Sequence, residues 1–358
     1  MVPLKRVCCV ITARPSYSRV KSVLTALKAR SDVELFIMIT AAAKLRRYGS
    51  IGDQIVEDFP ENWMIGPSTV VEGDGTEESV ISTGLLTVQL GNHFAMMKPD
   101  MVVTIADRHE TLATAIAASY QNIPLCHLQG GEVSGSIDDK VRNAVTQLAD
   151  IHCVATEDAA HNVMAMRPNT LEIVYVTGCP SIDLAAEALK LGPLPGHDVV
   201  VLQHPVTTEA REAGAQMRET IKALEGMDVL WFWPGEDAGA EAMSKEMRLA
   251  GLHPKRNMPP VEFLRTLLGS GVLVGNSSVG IRECSFLGVP VVNIGRRQRG
   301  RECGDNGIHV PHDGQQIRAA VSLSGSPMHK KRSTLYGDGH AGERIAEILA
   351  NGVKEAAA

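Results

Sequence analysis

Ionisable and small polar residues concentrate in six short stretches of this chain, and their types limit the chemistry each could do. Residues 130–139, GGEVSGSIDD, place Glu132, Asp138 and Asp139 among glycines and serines. A plain surface loop would use one aspartate as a helix cap and partner of the helix dipole. That leaves Glu132 unexplained, so the three carboxylates are candidate acid/base groups. Residues 106–110, ADRHE, add Asp107, a possible base, and Arg108. That arginine could clamp an anion or depress a neighbouring carboxylate's pKa. His127, three residues before GGEVSGSIDD in the run CHLQGGEVSGSIDD, reads as a core histidine.

The remaining stretches suit anions. ARPSYS (13–18) carries Arg14 and Ser18 where a helix opens, a place that suits a phosphate or a simple cap. It is not a GxGxxG loop, which argues against a dinucleotide cofactor. QHPVTTE (203–209) offers His204 and two threonines to a phosphate or a ribose. GNSSVGIRE (275–283) offers Ser277 and Ser278 as an anion nest and Glu283 as an acceptor for ribose hydroxyls. GRRQRGRE (295–302) presents four arginines, Arg297 among them, to a diphosphate or a stacked base. His309 and His312 flank a proline and make no convincing metal pair.

Every one of these stretches directly follows an apolar run, and those runs must position them. KRVCCVIT, VELFIMIT, DMVVTI, IPLCHL and DIHCVAT read as strands, as do DVVVLQ, MDVLWFW, GVLVG and VPVVNIG further on. They lack in/out alternation, the pattern of parallel strands buried on both faces. Amphipathic helices alternate with them, which predicts an α/β chain of two Rossmann-like domains facing a cleft, lined by loops at the strand ends. Residues 178–197 are rich in Gly, Pro and small residues and read as a linker. The domains are therefore expected at 1–178, carrying the carboxylates, and 179–335, carrying the nucleotide loops.

A chain of 358 residues exceeds one ordinary core. Its 44% apolar and 21% charged content fits a folded protein. The net charge of −6, with no long basic run, argues against nucleic acid and anionic membranes as partners. Seven scattered cysteines without a CxxC pair suit a reducing cytoplasm. The first apolar run is too short for a signal peptide, and none reaches the roughly 20 residues of a membrane span.

From ARPSYS to YGDGHAGERI the chain resembles the hydrolysing UDP-N-acetylglucosamine 2-epimerases. GGEVSGSIDD, QHPVTT, GNSS-G-RE, RQ-GRE and YGDG stand in that family's order. The resemblance implies a GT-B fold whose C-terminal helix, within 336–358, packs back on the first domain. It implies no metal and no redox cofactor, a UDP-sugar partner, and a homodimer or homotetramer. It makes Arg14, Ser18 and Arg108 contacts to the substrate's diphosphate side, and His204, Ser277, Ser278, Glu283 and Arg297 the holders of UDP. Asp107, Glu132 and one of Asp138 or Asp139 become the acid/base set. The implied reaction is anti elimination of UDP to a glycal, then hydration to a free 2-epimer of the N-acetylmannosamine type. A non-hydrolysing epimerase and a GT-B glycosyltransferase are the alternatives. Pro15, Ser16, Gly235 and Asn143 depart from the family pattern, and the KRNMPPVE stretch lacks the Lys-His pair tied to feedback in animal relatives. The sugar is therefore either N-acetylglucosamine or a 2,4-diacetamido-6-deoxy relative.

Overall fold

The computed structural model describes residues 4–45, 51–71, 76–134, 137–168, 173–235 and 237–352. Among these residues two parallel sheets form. The first takes β1 (Lys5–Ile11), β2 (Val33–Ile39), β3 (Trp63–Ile65), β4 (Met101–Ile105), β5 (Leu125–Leu128), β6 (Ile151–Val154) and β7 (Val174–Val176) in the order 3-2-1-4-5-6-7. The second takes β8 (Val199–Leu202), β9 (Val229–Trp231), β10 (Val272–Gly275), β11 (Val291–Ile294) and β12 (Gly307–Val310) in the order 12-11-10-8-9. Both are doubly wound orders. The α/β class expected from the apolar runs is the observed one.

Each continuous run divides by strand geometry, since successive side chains leave opposite faces. Val7, Cys9 and Ile11 of β1 enter one core cluster while Cys8 and Val10 enter another. Val199 and Val201 of β8 likewise separate from Val200 and Leu202. All seven cysteines are free thiols, six of them buried, and Cys303 is exposed. Among the described residues no helix is long and apolar enough to cross a membrane.

The chain divides into two compact units. The first holds Met1–Glu132, Asp138–Asp183 and Gly337–Ala358; the second holds Val133–Ile137 and Leu184–Tyr336. The C-terminal helix Ala341–Asn351 thus belongs to the first unit, where Ile345, Ala346 and Leu349 join the core beside Val23, Leu24 and Leu27. Asp183 accepts the backbone N–H of Ala341 at 3.0 Å and of Gly342 at 2.6 Å, which satisfies two orphan donors of that helix.

Residues 178–197, expected as a linker, do hold the crossing from the first unit to the second, between Asp183 and Leu184, but that crossing falls inside the helix Pro180–Leu191. Pro180 sits at its first position, and Gly192, at φ +77°, follows its end. These residues punctuate the helix ends rather than interrupt it, and Ile182, Leu184, Ala185 and Ala188 form its buried face. The helical segments after β1, β8 and β10 each come in two pieces. The first, for example, ends as Arg14–Ser18 and restarts as Lys21–Lys28.

Candidate active site

In a doubly wound sheet, ligands collect where the strand order reverses. In the first sheet that point lies between β1 and β4, in the second between β8 and β10. All six polar stretches leave the C-terminal ends of β1, β4, β5, β8, β10 or β11, at or beside these reversals.

In the first unit a buried arginine gathers the carboxylates. Arg142 lies on the helix Asp138–Leu148 and is 1% exposed. Its Nη2 donates to the Asp107 carboxylate after β4. Its Nη1 donates to the Glu132 carbonyl at 2.6 Å and to Asp139 Oδ1 at 2.5 Å. Burial opposes the charge on Arg142, yet Asp107 and Glu132 outweigh it and hold the guanidinium above its ordinary pKa. The carboxylates of Asp107 and Asp139 and the backbone of Glu132 are thereby held around one cation, and Glu132 is 8% exposed. Asp138 opens the same helix, so neither aspartate stands outside it as a separate cap residue.

The backbone delivers these groups through uncommon conformations. Ala106, just before Asp107, has φ +64°, and Gln129, at the end of β5, has φ +65°. Such angles are rare for residues with a side chain and persist only where the surroundings impose them. Gly131 has φ +77°, and a Cβ there would stand 2.0 Å from the Ala159 carbonyl oxygen. This glycine presses the Glu132 loop onto its own fold.

Arg108 turns onto Glu110, with Nε 3.1 Å and Nη2 3.3 Å from its carboxylate oxygens. Burial pushes Glu110 up, but Arg108 and then His109 prevail, and its pKa is lowered. After β1, Ser18 Oγ donates to the Pro15 carbonyl at 3.1 Å, and Arg14 is the half-buried first residue of its helical turn. Tyr17 donates to Asp58, which Lys21 also reaches at 2.7 Å.

In the second unit the organiser is neutral. Asn276, following β10, accepts the His204 N–H at 2.7 Å and donates to the His204 carbonyl at 2.8 Å. Its own carbonyl accepts Gln298 Nε2 at 2.8 Å and Arg297 Nη1 at 3.3 Å. Asn276 therefore ties together the loops after β8, β10 and β11. The Gly235 N–H donates to His204 Nδ1 at 2.9 Å, so in the neutral ring Nε2 carries the proton. Ser277 caps the short helix Ser278–Ile281, accepting the Val279 N–H. Glu283 opens the next turn, 7% exposed, and its Oε2 has no hydrogen-bond partner. The Oε1 of Gln298, 2% exposed, also lacks one.

The first cluster can exchange protons with a bound molecule, and the second set of loops can accept hydroxyls and donate to anions. Among the described residues no group of three or more His, Cys, Asp or Glu side chains could hold a metal ion.

Residues 25–350 match the family described as UDP-N-acetylglucosamine 2-epimerase. The chain belongs to that family. Its epimerase relatives include a UDP-N-acetylglucosamine 2-epimerase of Neisseria meningitidis serogroup B, 28% identical over 97% of this chain and 96% of the relative. A UDP-N,N'-diacetylbacillosamine 2-epimerase (hydrolyzing) of Legionella pneumophila is 29% identical over the same shares, 97% and 96%. The UDP-GlcNAc 2-epimerase of Methanocaldococcus jannaschii, solved with UDP-GlcNAc and UDP, shares the fold: TM-score 0.78 at 17% identity, covering 97% of this chain and 99% of that one.

Within this epimerase chain, sequence reasoning placed the candidate residues on the right strand ends but missed both organisers. Arg142 stands in the helical run DDKVRN, where it reads as a surface arginine. Its one available signal was its position three residues after Asp139. Asn276 stands inside the quoted GNSS stretch, overshadowed by the serines.

Proposed function

We propose that this chain is a hydrolysing 2-epimerase of a UDP-2-acetamido sugar, either UDP-GlcNAc or a 2,4-diacetamido-6-deoxy relative. The observation that carries the reading is the carboxylate cluster around Arg142. A weakly acidic C2–H needs a positioned base, and departure of UDP needs stabilised charge. One carboxylate of the set Asp107, Glu132, Asp138 and Asp139 takes the C2 proton. The C1–O bond to UDP breaks as the C1–C2 double bond forms. Water then adds to the glycal, its hydroxyl to C1 and a proton to C2 from the opposite face. The products are UDP and the free 2-epimer. Arg14, Ser18 and Arg108 attend the diphosphate side; His204, Ser277, Ser278, Glu283 and Arg297 hold UDP. The unpartnered Oε2 of Glu283 supports this, because a ribose hydroxyl would satisfy it. Two relatives named as hydrolysing, from Legionella pneumophila and Campylobacter jejuni, support the hydrolytic outcome.

The test is proton NMR in deuterated water with UDP-GlcNAc and then with a UDP-2,4-diacetamido-6-deoxy sugar. Free sugar deuterated at C2, formed together with UDP, is the expected result. An intact UDP-sugar epimer would reassign the chain to the non-hydrolysing type. UDP release only with an added acceptor would make it a glycosyltransferase, and no turnover of either donor would overturn the reading.

The same reading takes the protein as a homo-oligomer, with a second copy covering the helix Thr76–Met97. Leu86, Leu90 and Phe94 of that helix enter the core, while Val80, Ile81, Leu85, Val88 and Met96 stand 44–76% exposed. No Asp, Glu, Lys or Arg lies between Glu78 and Lys98. A helix that exposes five large apolar side chains and carries no Asp, Glu, Lys or Arg between its ends suits an interface. Antiparallel pairing about a two-fold axis would bring Glu77 and Glu78 of one copy toward Lys98 of the other. Sedimentation should find wild type as a dimer or larger, and the Leu85→Glu/Val88→Glu variant as a folded monomer. A monomeric wild type rules this face out.

A further inference from the structure

His127, on β5, is fully buried and lies outside every role assigned above. Its Nε2 stands 2.9 Å from the Ala106 carbonyl, and its Nδ1 stands 3.2 Å from the Thr146 hydroxyl. Ala106 immediately precedes Asp107. Thr146 follows Arg142 by four residues on one helix, so the two share a face. The imidazole therefore spans the two sides of the Asp107–Arg142 ion pair.

We infer that His127 is a positioning residue, a neutral strut that sets the place at which Asp107 meets Arg142. A carbonyl can only accept, so Nε2 carries the proton, and Nδ1 accepts from the Thr146 hydroxyl. That is one defined neutral tautomer. Burial first of all holds the ring neutral, lowering its pKa to about 4 against Asp107 and Glu132, while Arg142 adds to the lowering. His152, its cross-strand neighbour on β6, is uncharged for the same reason, at about 3. The strut also accounts for the left-handed Ala106: the carbonyl must turn inward to reach the ring, and that turn throws the next residue, Asp107, toward Arg142. Groups that act on a substrate need support of this kind, since a displacement of about 1 Å can cost about 100-fold in rate.

His152 supplies an internal control. It is equally buried, yet neither of its ring nitrogens has a hydrogen-bond partner. The inference rests on the reading of Asp107 as an acid/base group, so the experiment has one arm that does not need turnover.

In the kinetic arm, His127→Leu should lose about 10-fold or more in kcat with KM and UDP affinity little changed. His127→Gln, which keeps a donor for the Ala106 carbonyl, should recover most of the loss. Thr146→Val should fall between the two, and His152→Leu should stay near wild type. Wild-type kcat in His127→Leu, an equal loss in His152→Leu, or no recovery in His127→Gln overturns the strut. In the second arm, nitrogen-15 spectra of ring-labelled histidine should show His127 as the Nε2–H tautomer from neutral pH down to about 5. A crystal structure of His127→Leu should show Asp107 shifted from Arg142. An Nδ1–H tautomer, or an undisturbed ion pair in the variant, overturns the inference whatever reaction the protein catalyses.

Discussion

The loops of the first unit are organised around a charge, those of the second around an amide. Arg142 draws in two carboxylates and a carbonyl, and what it binds is thereby satisfied. Asn276 binds backbone and side-chain groups of three loops, yet Glu283 Oε2 and Gln298 Oε1 beside them are left without partners. Buried polar atoms are ordinarily paired, so an orphan calls for an explanation, and beside loops that open at strand ends a bound partner is one. Orphans occur in the first unit as well, Gln129 Oε1 and both ring nitrogens of His152 among them, but the contacts of Arg142 with Asp107 and Asp139 are charged pairs. The contrast lies in the organisers: charged pairs in the first unit, amide hydrogen bonds in the second.

The sharpest test removes each organiser. Arg142→Leu should cost about 3–5 kcal/mol of stability, because it strands the carboxylates around it. Asn276→Leu strands only neutral groups and should cost about 1–3 kcal/mol. Urea unfolding of both variants measures this, and the reverse ranking breaks the comparison. Next in size is Glu132→Gln, which should fold normally and lose at least ~100-fold in kcat, the lower end for a lost acid/base group. Wild-type turnover in that variant would remove Glu132 from the chemistry.

Most of the fold was legible because buried parallel strands declare themselves: β4, β5, β6, β8, β10 and β11 are wholly buried and mostly apolar. The edge strands β3, β7 and β12 carry no such signal, being three or four residues long and partly exposed. The helix Pro180–Leu191 was hidden by the Gly and Pro at its ends, which in sequence resemble a linker. At the site, the candidate residues stood out as polar groups where a strand should yield to a turn. The organisers did not, because Arg142 and Asn276 act through tertiary contacts. Arg142 meets Asp107 across 35 positions, and Asn276 meets His204 across 72. No local pattern encodes such a pairing. Nor does a local pattern show that Gly131 lies against Ala159, where a Cβ would stand 2.0 Å from the carbonyl oxygen.

Glu283→Gln bears on the second half of the comparison. If the orphaned Oε2 awaits a ribose hydroxyl, replacing the buried carboxylate with an amide should weaken UDP binding by about 10-fold, the scale of a lost hydrogen bond to a charged group. The same change removes a buried charge, so the free protein should become more stable, the trade-off expected where a site is held unsatisfied for function. Calorimetric titration with UDP and a thermal melt of the same sample read both effects. Weaker binding without stabilisation would mean that Glu283 is satisfied in the free protein.

The smallest expected effect concerns acid. Glu110 is buried but paired with Arg108 and His109, and its pKa is lowered on folding. A carboxylate with a depressed folded pKa contributes stability that is fully present above its unfolded value, near 4.3, and is lost as pH falls toward the folded one. Below that window both states are protonated and the contribution is gone. Glu110→Gln should therefore lower the melting temperature at pH 7 and converge with wild type as the pH drops below about 4. The convergence is the informative part. A gap that persists in acid would mean that the Glu110 side chain acts through shape, and that the first unit depends less on paired charge than the Arg142 cluster implies.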